Sequence, residues 1–127
     1  MNERFVKRQM EELPRLEVDG FKQAEKMPVV VVLDNVRSLN NIGSVFRSAD
    51  AFLVCEIILC GITATPPHKD INKTALGATE SVDWRYESDT HDAVAQLRLE
   101  GYRVWALEQT HQSQMLDQWV MNPDQPQ

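Results

Sequence analysis

The sequence is poor in cysteine, and it has no apolar run close to the roughly 20 residues that cross a bilayer. Its N-terminus also lacks the apolar core of a signal peptide. The two cysteines, Cys55 and Cys60, stand at an odd offset in a segment with strand-like composition, so they point to opposite faces and do not easily form a disulfide. We therefore expect reduced thiols in a cytoplasmic protein without a membrane span.

Basic side chains are in the minority, because 13 Lys and Arg stand against 19 Asp and Glu and the formal net charge is -6. This balance argues against a general nucleic-acid binder, so any contact with a nucleic acid must depend on a local basic patch. The three histidines, His68, His91 and His111, are scattered, and no group of Cys and His has the spacing of metal ligands. We therefore predict no metal site.

Strand-like and helix-like segments alternate from residue 29 onwards. Apolar patterning predicts strands at residues 29–33, 55–60, 81–87 and 102–109, and helices at residues 42–52, 69–78 and 88–101. This alternation is typical of the α/β class, with a parallel sheet flanked by helices on both faces. Residues 1–27 are charged and helix-prone and are interpreted as an N-terminal helical arm, followed by one domain over residues 28–127.

The segment "DNVRSLNNIGSVFR" follows the first predicted strand, at the end where ligands bind in parallel sheets. Asn40 or Asn41 is suited to cap the helix that follows, and the free N–H groups of its first turn make an anion site. Arg47 leans back towards the start of this helix and over Gly43, which has no side chain. We therefore expect the Arg47 guanidinium to reach Asn41 and the strand end at Asp34, forming a clamp for a sugar phosphate.

Two simpler interpretations remain open. Arg47 can be a solvated charge paired with Asp50 three positions later, and an asparagine after a strand is commonly only a cap. The whole chain can also be a non-catalytic phosphate- or nucleotide-binding α/β module. A dinucleotide-binding enzyme is disfavoured because Gly43 stands alone without a G-x-G-x-x-G pattern, and a phosphoacceptor domain because Asp34 is the single acid at the strand end.

The quoted segment resembles the first signature motif of the SpoU (TrmH) family of RNA ribose methyltransferases, within the SPOUT superfamily. Asn41, Gly43 and Arg47 stand at the family's spacing and are followed by the family-like "SADAF". The stretches "CGITATPP" and "NKTALGA" resemble the second strand of the family and the helix downstream of it. The resemblance therefore extends over about residues 29–107.

The sequence departs from the family pattern in two respects. Leu39 and Asn40 stand where family members usually carry proline and often a basic residue before the motif asparagine. The second family motif, a Gly-rich strand end with glutamate, and the third, a Ser-Leu-Asn-Val-Ser-like stretch, do not occur in these 127 residues. We therefore expect residues 28–127 to be a partial SPOUT methyltransferase domain, a SPOUT-like α/β knot fold without its C-terminal knot segment, inactive on its own.

The resemblance implies transfer of a methyl group from S-adenosylmethionine to a ribose 2′-hydroxyl of tRNA or rRNA. On this interpretation Arg47 binds the phosphate beside the target ribose, or the developing alkoxide, and Asn41 orients that group. Arg47 is not taken as the base, because a guanidinium keeps its proton up to a pKa above about 12. Leu107 and Glu108, at the end of the fourth predicted strand, are candidates for the floor of the cofactor site, although a plain strand end explains them equally well.

The loops at the predicted strand ends carry three basic residues, Arg37, Lys69 and Lys73, that are candidates to contact RNA phosphates. Taken singly, each such residue is more often an ordinary surface charge. Family members are typically dimers, which implies a homodimer. The tryptophans are interpreted as core or dimer-interface residues rather than base-stacking platforms: Trp84, Trp105 and Trp119.

Overall fold

A parallel sheet of three strands forms the centre of this computed structural model, which describes residues 18–108, 111, 113–120 and 122–127. The strands lie in the order β1 (Met27–Asp34), β2 (Val54–Cys60) and β3 (Trp84–Glu87). The helices are α1 (Val18–Gln23), α2 (Leu39–Ala51), α3 (Lys69–Ala75), α4 (Ala78–Ser81) and α5 (Thr90–Leu99), with a 3-10 turn at Leu116–Gln118. The prediction of an α/β fold with a parallel sheet is confirmed.

Helices cover both faces of the sheet, because alternate residues of each strand point to opposite sides. On one face, Leu59 of β2 belongs to a large core with Phe46 of α2 and Ile71 of α3. On the other face, Ile58 packs in a smaller core with Leu97 of α5. The expected layers of helix, sheet and helix are therefore present.

Helix α2 begins after a serine rather than after either of the two asparagines suggested as caps. Ser38 has an extended backbone, and its Oγ accepts a hydrogen bond from the Asn41 N–H at 3.1 Å. Ile42 and Phe46 then follow at helical spacing and are completely buried. The predicted cap at Asn40 or Asn41 was wrong, because the helix starts earlier and a serine hydroxyl already satisfies the free N–H three positions later.

The predicted fourth strand is absent from the described residues, because residues 102–108 have no regular secondary structure. The Arg103 N–H donates to the carbonyl of Pro126 at 2.9 Å instead of pairing with a strand of the sheet. The outer edge of β1 is taken up near its start by Gln127, whose carbonyl accepts the Val30 N–H at 2.7 Å. Strand-like composition was therefore misleading here; the last residue of the predicted strand lies outside the described part.

The predicted N-terminal arm is only partly described. Residues 1–17 lie outside the described residues, and α1 falls inside the predicted arm. Phe21 of α1 is 1% exposed and belongs to the large core, so this helix packs on the sheet-containing body. A domain boundary after residue 27 stays a prediction.

The described residues also contain no group of His, Cys, Asp and Glu arranged to hold a metal ion. Across the same part of the chain, every helix is too short or too polar to cross a bilayer.

Candidate functional site

The carboxyl ends of β1 and β2 lie side by side, since Asp34 and Cys60 are partners in the sheet register. Thr90, the first residue of α5, donates its hydroxyl to Asp34 Oδ1 at 2.6 Å and so brings α5 to the same edge. Asn35 follows with a φ of 52°, and its Oδ1 accepts the Ile62 N–H at 2.9 Å. Loops from neighbouring strands are thus joined at the edge where ligands bind in parallel sheets.

Asn41 lies in the first turn of α2 with its side chain exposed. Its backbone N–H is taken by Ser38, while the side-chain amide makes no hydrogen bond to another described residue. The first turn of a helix also carries partial positive charge on its N–H groups. The Asn41 amide is therefore exposed at the positively polarised start of α2.

Arg47 lies on α2 but does not meet Asn41. Six positions turn an α-helix by about 600°, which is about 120° short of two full turns, so the two side chains leave the helix in different directions. The Arg47 Nη1 lies 3.9 Å from Asp50 Oδ2, with 42% of the arginine side chain exposed and 8% of the aspartate. The alternative pairing with Asp50 is the one that the structure contains, and more than a third of the Arg47 side chain remains accessible.

The space beside Gly43 is filled by α3 and not by Arg47. A Cβ atom at position 43 would lie 2.0 Å from Thr74 Oγ1 and 2.3 Å from the carbonyl oxygen of Ile71. The Thr74 hydroxyl also donates to the carbonyl of Asn40 at 2.8 Å, which holds α2 and α3 together. The glycine is therefore required by helix packing, and the expectation that it makes room for the guanidinium was wrong.

The three candidate RNA-binding residues are all exposed. Arg37 is in the loop after β1, and Lys69 is the first residue of α3, which follows the loop after β2. Lys73 lies one turn further along α3, where its Nζ is 3.1 Å from Asp70 Oδ1. Arg37 and Lys69 thus have exposed positive charges, whereas an acidic neighbour offsets the charge of Lys73.

The two residues suggested for the cofactor floor lie outside the sheet. Leu107 is 86% exposed, and Glu108 is exposed as well. Both belong to the segment after β3 and α5 that has no regular secondary structure. The structure therefore does not bring these residues together with Asn41 and Arg47 in an enclosed site.

Burial changes the acid-base behaviour of three groups on β2. Burial raises the pKa of the Cys55 and Cys60 thiols, so both stay protonated near neutral pH and neither is an activated nucleophile. Burial also raises the pKa of Glu56, against the opposing effect of the Arg85 guanidinium, whose Nε lies 3.8 Å from Glu56 Oε1. Both thiols are unpaired, which confirms that they do not form a disulfide.

The three tryptophans have different surroundings. Trp84 is half-buried against the large core, and its remaining surface lines an open groove of about 460 Å³ together with Asn72 and Glu80. Trp105 and Trp119 contact each other edge to face with ring centroids 5.6 Å apart, and Trp105 is 42% exposed. Trp84 is thus a partly buried core residue, whereas the other two form a cluster in the C-terminal part of the chain.

Two polar residues at the strand ends had not been singled out from the sequence. The turn conformation of Asn35 could partly be predicted from the sequence, because asparagine directly after a strand tolerates the positive φ that it adopts here. Thr63 is buried and bonds the backbone on both sides of the turn after β1, through Leu33 and Val36. A single threonine among turn residues gives no sequence signal of such a contact, because the partner groups belong to another loop.

Residues 28–125 match the sequence profile of the SpoU rRNA Methylase family. The chain belongs to this family. This confirms the resemblance stated from the strand-end motif. A curated relative is the 23S rRNA (guanosine-2′-O-)-methyltransferase RlmB of Pasteurella multocida (strain Pm70). It is 34% identical over 71 residues, which are 56% of this chain and 29% of that protein.

Two solved structures of methyltransferases are similar to this SpoU family chain. The AdoMet-bound rRNA methyltransferase from Sinorhizobium meliloti is 28% identical with a TM-score of 0.55, over 61% of this chain and 30% of that one. A putative RNA methyltransferase of the TrmH family from Porphyromonas gingivalis is 26% identical with a TM-score of 0.53, over 58% of this chain and 30% of that one. The chain thus spans less than a third of the length of these relatives.

Proposed function

We propose that this chain supplies the RNA-facing part of an enzyme that transfers a methyl group from S-adenosylmethionine to a ribose 2′-hydroxyl of RNA. The observation that carries the proposal is the family match over residues 28–125, which includes the whole strand-end edge with Asn41 and Arg47. Ribosomal RNA is favoured over tRNA as the substrate, because the curated relative is named for 23S rRNA.

The proposed chemistry requires that a weak nucleophile be oriented and that charge be balanced. A ribose 2′-hydroxyl reacts only when it is held in line with the methyl donor and can lose its proton. In the proposal, the exposed amide of Asn41 orients the ribose or its phosphate. Arg47 leaves α2 in a different direction and binds a phosphate beside the target ribose, or the developing alkoxide, with the part of its guanidinium that faces solvent, while Asp50 anchors the other side. The proton passes to solvent or to another group, since a guanidinium is already protonated.

RNA binding in this proposal rests on a small basic patch. Arg37 and Lys69 flank the strand ends, and the chain as a whole carries a formal net charge of -6. Because only a few contacts oppose an unfavourable total charge, we expect weak binding that falls steeply with salt concentration. Lys73 contributes less, because Asp70 lies 3.1 Å from its Nζ.

The described residues do not fit the cofactor by themselves. An adenosyl group is normally bound in a concave and mostly apolar site. Leu107 is 86% exposed, and Glu108 lies beside it in the same irregular segment. We therefore assign the RNA side of the reaction to this chain.

We further propose a homodimer located in the cytoplasm. Large apolar side chains are exposed in the C-terminal part of the described chain, among them Leu107, Leu116 and Val120. Exposed apolar patches commonly mark contact surfaces between proteins. The two unpaired cysteines support a reducing compartment.

A chimera tests the proposed function. In it, residues 1–127 are followed by the C-terminal part of the Pasteurella multocida relative, and it is incubated with 23S rRNA and methyl-tritiated S-adenosylmethionine. We expect label in the RNA and a 2′-O-methylated nucleoside by mass spectrometry. RNA binding by a folded chimera without methyl transfer would favour the non-catalytic binding module. Loss of both RNA binding and transfer would contradict the proposed function.

A further inference from the structure

Thr63 is one of two buried polar side chains among the described residues, with 3% of its surface exposed. Its hydroxyl donates to the carbonyl of Leu33 at 3.1 Å and accepts the Val36 N–H at 2.9 Å. These two backbone groups stand on either side of the turn by which the chain leaves β1. One side chain from the β2 loop therefore fixes both halves of that turn, through a hydroxyl that donates and accepts at once.

Asn35 makes a second connection between the same two loops. Its Oδ1 accepts the Ile62 N–H at 2.9 Å, and a Cβ at Gly61 would lie only 2.0 Å from that oxygen. The Tyr86 hydroxyl donates to the carbonyl of Gly61 at 2.7 Å, which ties in the end of β3. We call the group formed by Asn35, Gly61, Thr63 and Tyr86 the strand-end clasp.

The strand-end clasp controls a loop whose own contacts are few. Residues 36–38 have no regular secondary structure, and the side chain of Arg37 bonds to no other described residue. The direction of Arg37 therefore follows from the backbone, which Thr63 holds at Val36 and the α2 cap holds at Ser38. If Thr63 lost its hydroxyl, the Val36 N–H would lose its described hydrogen-bond acceptor, and packing of the Val36 side chain against the large core would remain.

We propose that Thr63 and Asn35 are positioning residues that aim Arg37 at the RNA phosphates. The inference rests on the proposed RNA-binding function and deepens it. It names residues that do not touch RNA themselves but determine how well a basic residue contacts it. It predicts energetic coupling between a buried hydroxyl and an exposed arginine on a different loop.

The test is a double-mutant cycle on RNA affinity in the complete chain. Wild type, Thr63→Val, Arg37→Ala and the double variant are titrated with a fluorescein-labelled 23S rRNA transcript at several salt concentrations. We expect Arg37→Ala to weaken binding several-fold and to lower the salt slope by roughly 0.7–0.9, the range for one lost phosphate contact on single- and double-stranded nucleic acid. Thr63→Val should do the same to a smaller extent, and the double variant should bind no worse than Arg37→Ala.

Controls separate positioning from stability. Thr63→Ser keeps the hydroxyl and should retain wild-type affinity and salt slope. All titrations are made below the melting temperature of the least stable variant. Should Thr63→Val not fold, Asn35→Gly replaces it, because glycine accepts the positive φ but lacks the accepting oxygen.

The outcomes distinguish this inference from the proposed function. If Arg37→Ala weakens binding and Thr63→Val in its folded form does not, the positioning role is refuted and the RNA contact stands. If the two effects simply add in the double variant, the positioning role is also refuted. If Arg37→Ala leaves affinity unchanged, both the RNA contact and the positioning role are wrong.

Discussion

The strand ends of β1 and β2 differ from the described residues after Tyr102 in how their side chains are used. At the strand ends, buried or half-buried polar groups such as Thr63 bond the backbone and fix short loops. After Tyr102, apolar side chains such as Leu107 and Val120 are more than 80% exposed, and the regular secondary structure among the described residues is one short 3-10 turn. Parts of a protein with few buried apolar contacts open most easily, so local stability should differ strongly between the two regions.

The largest expected effect comes from removing core contacts in the first region. Phe46 is completely buried, so Phe46→Ala should lower the free energy of unfolding by about 3–5 kcal/mol. Leu107→Ala is the matched change in the second region and should alter it by less than about 0.5 kcal/mol, because Leu107 is 86% exposed. Chemical denaturation followed by circular dichroism measures both. Comparable losses in the two variants would abolish the contrast between the regions.

Gly43→Ala should be the next most damaging change. The new Cβ would lie 2.3 Å from the carbonyl oxygen of Ile71, so α2 and α3 must move apart at a cost of about 3 kcal/mol. Ser44→Ala, one residue further on the exposed side of α2, is the control and should change the free energy of unfolding by less than about 0.5 kcal/mol. A Gly43→Ala protein with wild-type stability would show that the helix contact is loose.

Arg47→Ala should remove most methyl transfer, by about 100-fold or more, as expected when a charge-stabilising donor is lost from a reacting site. Its stability should fall by no more than about 1 kcal/mol, since the ion pair with Asp50 is long and partly exposed. The measurement is label transfer in the chimera described above. Asp50→Asn is the comparison variant and should lose less activity, because it weakens the anchoring of Arg47 but keeps the guanidinium. Equal loss of activity in both variants would reduce Arg47 to a structural role.

Self-association should depend on the C-terminal region. Leu116 is 65% exposed, and Leu116→Asp should shift a dimer towards monomer in analytical ultracentrifugation. Leu99→Asp, at an 84% exposed position on α5, is the matched control and should leave the distribution unchanged. A wild-type chain that is monomeric at all concentrations would refute the proposed dimer.

The smallest expected effect is a pH-dependent one at Glu56. Burial raises the pKa of this carboxyl, so the folded state holds the proton more tightly than the unfolded state and the charged form is disfavoured at neutral pH. Glu56→Gln should therefore be slightly more stable at pH 7, and this advantage should vanish as the pH falls through the pKa of the folded protein. Arg85 keeps Glu87 as a neighbour at 3.8 Å. Thermal melts between pH 3 and 7 measure the difference, and an advantage independent of pH would contradict its assigned cause.

Most elements between residues 27 and 101 could be predicted because their patterns are local. The run ending in Leu33 is uniformly apolar and forms a strand, and the helical spacing of Ile42 and Phe46 places one face of α2 in the core. The predicted cap of α2 lay two or three residues too late in the chain. Ser38 and the asparagines are all good caps, and only the backbone geometry determines which of them caps the helix. The strand predicted after Gly101 is absent from the described residues for a different reason, since strand-like composition does not by itself specify a pairing partner.

The order of apolar and polar residues by itself determined the alternation of strands and helices, the parallel sheet and the position of the polar loop after β1. Such periodic patterns depend only on neighbours in sequence, and they select which face of each element leaves water. Tertiary structure decided what surrounds each residue of that loop. It placed α3 against Gly43 and joined Thr63 to the turn after β1, because each of these contacts needs an atom that the fold supplies from elsewhere in the chain.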